Sequence, residues 1–268
     1  MTSENSASII ISGDLISEKV LYPNGCLLLI CPECPENVAA RLKTNIELLG
    51  IEWFQKDKLD KGITPSTRNI YYSNLENDNR DLIVIKEKSQ RIDPEWPKAS
   101  TYTTSVIHEI AMSKAMQFVI DQDFPNDFTV SLNDEICNVS LRVQTPLGAI
   151  IDLATGKRFG IFMYEKGESI RDCFQWWGTW NDAPEELRKL TGKISTTLDV
   201  LAKLALNKGL EPWDLGAHQV VYRKGENNLD LTILDTEEYD FGVNERMDRD
   251  QFLGLPPLII YLYIGISS

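Results

Sequence analysis

Apolar positions change their period several times along the chain, and each change marks an element. Short apolar runs at residues 8–11 and 26–30 stand either side of Pro23-Asn24-Gly25, the pattern of a strand pair with a turn. After Pro35 the apolar residues Val38, Leu42, Ile46 and Leu49 recur near helical period. Pro35 suits the first turn and Gly50 the C-terminal cap, so the spacing predicts a helix. Residues 69–75 and 82–86 are apolar runs around the polar stretch Glu76-Asn77-Asp78-Asn79-Arg80 and predict a hairpin.

Over residues 105–120, Val106, Ile110, Met116 and Ile120 with a Thr-Thr-Ser lead-in predict an amphipathic helix. Residues 147–153 and 159–164 bracket Ala154-Thr155-Gly156-Lys157 and predict a second hairpin. The longest periodic stretch starts at Asp182 and Pro184 and carries Leu187, Leu190, Ile194, Leu198, Leu201 and Ala205 on one face, ending at Lys208-Gly209. Residues 211–217 have no clear period. Two apolar runs follow, 219–222 and 229–234, separated by the turn 224–228, and Asp235 comes next.

The expected fold class is α+β, with three segments: a β-β-α extension over 1–58, a β-rich lobe over 59–164 and a short helical lobe over 165–268. No internal repeat is visible. Apolar residues make up 43% and charged residues 25%, as in an ordinary packed domain. The net charge of -13, with 40 acids against 27 bases, disfavours nucleic acid or an anionic membrane as the main partner. The most apolar stretch, 252–266, is interrupted by Pro256 and Pro257 and is shorter than the roughly 20 residues a membrane helix needs.

The five cysteines, Cys26, Cys31, Cys34, Cys137 and Cys173, are odd in number and too sparse for a disulfide framework. The first residues lack the pattern of a signal peptide, so a cytoplasmic location is expected.

Phosphoryl transfer from ATP needs a cation near the phosphates, carboxylates for magnesium and a carboxylate at the acceptor hydroxyl. The chain offers these in order. Lys86 ends the apolar run Ile83-Val84-Ile85, and Glu109 lies on the next helix, where it can fix the ammonium. Asp214 lies after the long helix, and Asp235 follows the next hairpin.

With Ile83-Val84-Ile85-Lys86, His108-Glu109-Ile110, the linker around Tyr164-Glu165-Lys166, Trp213-Asp214-Leu215 and Thr232-Ile233-Leu234-Asp235, the chain resembles the protein-kinase-like superfamily over roughly residues 60–250. The nearest type is its small-molecule members, such as the aminoglycoside and lipopolysaccharide kinases. The resemblance implies a two-lobe fold with a reduced C-terminal lobe, and ATP and magnesium as cofactors. It implies that Lys86 pairs with the α- and β-phosphates, Glu109 anchors Lys86, and the backbone of Tyr164, Glu165 and Lys166 meets adenine. Asp214 would be the catalytic base, and Asp235 with Gln219 would hold magnesium.

The chain departs from that pattern in having Pro212-Trp213 before Asp214, Gln219 in place of asparagine, and a single glycine in the phosphate-loop position at 62–69. The stretch after Asp235 is short for a protein-substrate platform. A small hydroxyl compound is therefore the expected acceptor, and a catalytically inactive pseudokinase that binds a protein partner is the alternative. The aromatic run Phe174-Gln175-Trp176-Trp177-Gly178-Thr179-Trp180 is its expected docking region, core packing being the plainer reading.

A minor alternative is a thiol-redox protein. Cys31-Pro32-Glu33-Cys34 lies between an apolar run and a helix start, where a thiol can be activated, although simple packing accounts for the same cysteines. His108 and His218 are the only histidines, which excludes multi-histidine metal centres.

Overall fold

The computed structural model describes residues 15–55, 70–74, 82–88, 106–132, 135–170, 183–212, 215–236 and 239–241. These residues form a mixed α+β structure built on a six-stranded and a five-stranded sheet, with a small two-stranded ladder beside them.

The six-stranded sheet contains β1 (Glu18–Leu21), β2 (Cys26–Ile30), β3 (Ile70–Asn74), β4 (Leu82–Glu87), β7 (Pro146–Asp152) and β8 (Arg158–Met163). Its order is β1-β2-β7-β8-β4-β3, antiparallel throughout. The partner of β2 across the Pro23-Asn24-Gly25 turn is Glu18–Leu21, not the apolar run at 8–11, which lies outside the described residues. The turn explains the choice. Gly25 takes φ +85°, and the Asn24 side chain accepts from Cys26 N–H at 3.1 Å and donates to Ile46 O at 2.7 Å. A tight turn of this kind pairs only the residues next to it.

Helix α1 (Glu36–Leu49), followed by the single turn α2 (Glu52–Gln55), covers one face of this sheet. Val38, Leu42 and Ile46 are buried there with Leu28, Ile30, Ile83, Ile85, Ile150, Phe159 and Ile161. Because β2 also pairs with β7, the N-terminal β-β-α unit belongs to the same sheet as the Lys86 strand.

The opposite face carries α3 (Val106–Asp123). Its sequence suggested one apolar face, but Ile107, Ala111, Met112, Ala115 and Val119 are buried as well as Val106, Ile110, Met116 and Ile120. The reason is a second sheet on its other side. That sheet comprises β5 (Thr129–Leu132), β6 (Glu135–Val143), β9 (Glu168–Ser169), β11 (Val220–Lys224) and β12 (Asn228–Ile233), in the order β5-β6-β12-β11-β9. One core joins α3 to residues of both sheets and to α4 (Glu185–Asn207), the long helix, which buries Leu190, Ile194, Leu198, Leu201 and Ala205.

Strands β5 and β6 fall where the pattern above predicts none. The segment expected to be a short helical lobe holds, among the described residues, one long helix, a 3-10 turn at Ala217–Gln219 and the strands β9 to β13. The last of these, β13 (Tyr239–Phe241), pairs with β10 (Leu210–Pro212). Within the five-stranded sheet the parallel ladder β6–β12, running from Asn138 with Asn228 to Val143 with Ile233, puts strands from the two expected lobes side by side.

Candidate functional site

Side chains alternate along β4, so Ile83 and Ile85 enter the α1 face while Lys86 and Lys88 point to α3. There they meet Glu109, whose burial is complete (0% exposed). Lys86 Nζ donates to Glu109 Oε1 at 3.2 Å, and Lys88 Nζ pairs with the other oxygen, Oε2. Lys86 is 8% and Lys88 2% exposed. Burying three charged groups is costly unless they neutralise one another, and one carboxylate shared by two ammoniums does that in part.

Gly160 lies opposite Lys86 on β8. A Cβ there would come within 2.7 Å of the Phe162 ring and 3.6 Å of Glu109 Oε2. The bare glycine leaves room for the ring, and Lys86 Nζ stands 4.4 Å from its centroid, a cation–π arrangement.

The third side of the site is the chain leaving β12. Leu234 O accepts from Lys86 Nζ at 2.5 Å. Thr236 Oγ1 donates to Glu109 O at 3.2 Å and meets Ser113 Oγ at 2.8 Å. Asp235 thus sits between two residues that are both tied to the Lys86–Glu109 pair. Gln219 borders the same segment: its carbonyl accepts from Leu234 N–H at 2.8 Å, and its own N–H donates to Gly216 O at 2.9 Å. Lys86, Glu109 and the segment of Asp235 meet at one place, and Gln219 adjoins them. Asp214 and Trp213 lie outside the described residues, as do the phosphate-loop position at 62–69 and the Trp176–Trp180 region.

Tyr164, Glu165 and Lys166 follow β8, whose last residue Met163 pairs with Ile83. That is three residues along β4 from Lys86, about 10 Å at strand rise. Glu165 pairs with Arg142 of β6, which also donates from Nε to Thr232 Oγ1 at 3.1 Å. Burial pushes the Glu165 carboxyl above the usual range, with Arg142 and Arg223 pulling the other way.

Four residues of the site escaped the sequence reading: Lys88, Ser113, Gln144 and Thr236. Two had a signal. Lys88 follows Lys86 by one strand period, and Ser113 follows Glu109 by one helical turn. Gln144 had none. It donates from its backbone N–H to Ile233 O and from Nε2 to Met163 O, both at 2.8 Å, so it ties the end of β8 to the end of β12.

Elsewhere, Cys31 is buried and Cys34 partly so just before α1. Desolvation pushes the Cys31 thiol up to about 12 and the Cys34 thiol up to about 11. That is the reverse of the activation a redox thiol requires. Among the described residues no group of three or more His, Cys, Asp or Glu could hold a metal ion, and no helix is long and apolar enough to cross a membrane. A cavity of about 540 Å³ opens between Glu168, Leu187 and Tyr222, away from Lys86 and Glu109. A scan against protein-family models matches none, and a search of curated proteins finds no significant match.

Proposed function

We propose that the chain is a kinase-like, ATP- and magnesium-dependent phosphotransferase acting on a small hydroxyl substrate. The observation that carries this reading is the buried Lys86–Glu109 pair, from a strand and the following helix, set against the Leu234-Asp235-Thr236 segment. The order in which these parts follow one another supports it: the strand with Lys86, the helix with Glu109, the hairpin β7–β8, the long helix α4 and the hairpin β11–β12 before Asp235. In this reading Lys86 binds phosphate oxygens, Glu109 orients Lys86, and the backbone of Tyr164 to Lys166 receives the base.

Asp235 and Gln219 offer oxygen donors of the kind magnesium prefers, and they lie at adjoining chain positions across the β11–β12 ladder. The cation would neutralise charge on the phosphate oxygens. Asp214, as the acceptor base, completes the proposal.

The alternative, a pseudokinase that binds a protein partner, draws on one specific contact. Lys86 Nζ, the group that should meet phosphate, is held by the Leu234 carbonyl at 2.5 Å. Calorimetric titration of ATP with and without magnesium separates the two. Magnesium-dependent binding that is lost in Asp235→Ala supports the phosphotransferase. Absence of binding in the wild type favours the partner-binding module.

A further inference from the structure

We propose that Lys88 is a positioning residue of the nucleotide site: it holds Glu109 charged and in place while Lys86 turns to phosphate. This rests on the reading of Lys86 as the phosphate-binding cation.

Glu109 is fully buried, and its two oxygens serve two lysines, Lys86 in β4 and Lys88 just past its end. The lysines differ in their surroundings. The Lys86 ammonium already shares its protons among Glu109 Oε1, Leu234 O and the Phe162 ring, so it can trade one of these for a phosphate oxygen. The Lys88 side chain is wholly enclosed, and its backbone N–H donates to Arg158 O at 2.8 Å. The Lys86 side chain keeps 10% exposure and that of Lys88 none, so the Lys88 charge is placed to serve Glu109.

The need for it follows from electrostatics. When phosphate draws on Lys86, the attraction between Lys86 and Glu109 is diluted. A buried carboxylate left with a diminished partner takes up a proton and lets go of the ammonium it was orienting. A second, enclosed ammonium prevents this. An apolar residue at position 88 would pack there without burying another charge. Among the described residues, the titratable groups near Glu109 in the chain or across the ladders are Lys86 on β4, Lys88 just past its end, Arg158 on β8, Asp235 beyond Leu234, and His108 on α3 itself. Of these, Lys86 and Lys88 touch its carboxylate oxygens.

The test is calorimetric titration of magnesium–ATP into the full chain at pH 6, 7 and 8, for the wild type, Lys86→Met, Lys88→Met and Lys88→Arg. Thermal unfolding reports on folding, and Lys88→Gln, a smaller perturbation, takes the place of Lys88→Met if that variant does not fold. With Lys88 neutralised, burial favours the protonated form of Glu109, and more so as the pH falls. The affinity of Lys88→Met should therefore fall by about tenfold or more from pH 8 to pH 6, beyond any change in the wild type. Lys88→Arg, which keeps the charge, should restore the wild-type profile. An unchanged profile in Lys88→Met, or an equal loss at every pH, overturns the role of Lys88 while loss of binding in Lys86→Met keeps the nucleotide reading. A wild type that binds no ATP overturns both.

Discussion

The hydroxyls of Ser113 and Thr236, 123 residues apart in the chain, meet at 2.8 Å in the interior, beside the Lys86–Glu109 pair. Thr236 has a single proton and donates it to Glu109 O, so Ser113 is the donor to Thr236. One turn of α3 therefore fixes the residue after Asp235 through two hydrogen bonds, while Lys86 fixes the residue before it.

Replacing Thr236 with valine keeps the shape and removes both bonds, leaving Ser113 Oγ and Glu109 O without this partner. The expected loss is about 1–3 kcal/mol in urea unfolding. If Asp235 owes its position to this latch, magnesium-dependent ATP binding should weaken more than magnesium-free binding. Equal weakening of both would mean that the latch stabilises the fold without placing Asp235.

The two lysines on Glu109 should be strongly non-additive. Either Lys86→Met or Lys88→Met leaves the buried carboxylate one ammonium, whereas the double variant leaves it none. With no ammonium left, the buried carboxyl must either stay charged without a partner or take up a proton, a cost of up to about 3–5 kcal/mol at pH 8, so the double variant should lose clearly more stability than the two single losses combined. A double-mutant cycle in urea measures the difference. Simple additivity would show that the lysines act independently and that Glu109 is not their shared partner.

Gly160 offers a steric probe of the same place. A methyl group there would lie 2.7 Å from Phe162 Cε2 and 3.3 Å from Cζ, and the ring, only 1% exposed, has little space to retreat. Gly160→Ala should destabilise by about 1–3 kcal/mol, the usual range for overpacking a core. It should also weaken ATP binding, because the displaced ring is the one beneath the Lys86 ammonium. Thermal unfolding and calorimetry on the same variant check both effects.

How much of this was legible in the sequence depended on whether the signal was local. The hairpins β3–β4, β7–β8 and β11–β12 and the long helix α4 follow from period and punctuation, and each lies close to its expected position. Lys86 and Glu109 were also legible as a pair, a cation and a carboxylate in the order that phosphoryl transfer from ATP requires. What was hidden is non-local. The pairing of β6 with β12 joins residues about ninety positions apart, and nothing in either segment names its partner. Within β6, the alternation of buried Cys137, Val139, Leu141 and Val143 with exposed Asn138, Ser140 and Arg142 was a usable strand signal that went unused. The all-round burial of α3 is hidden for the same reason: its second apolar face makes sense only once a second sheet is known to cover it.

The thiols at the start of α1 give a pH prediction with a definite sign. Burial lifts Cys31 to about 12 and Cys34 to about 11, against an ordinary thiol value of 9.0. Both remain protonated in the folded protein at pH 8, so alkylation by iodoacetamide should be much slower there than in urea. A group that ionises later when folded contributes stability that is complete below its unfolded value and is lost as pH rises through the folded one. The fold should therefore weaken progressively above pH 9, and the Cys31→Ala, Cys34→Ala variant should show less of that loss, measured as the urea midpoint from pH 8 to pH 11. Rapid alkylation of the native protein at pH 8 would contradict the buried, protonated thiols and return Cys31 and Cys34 to consideration as a redox pair.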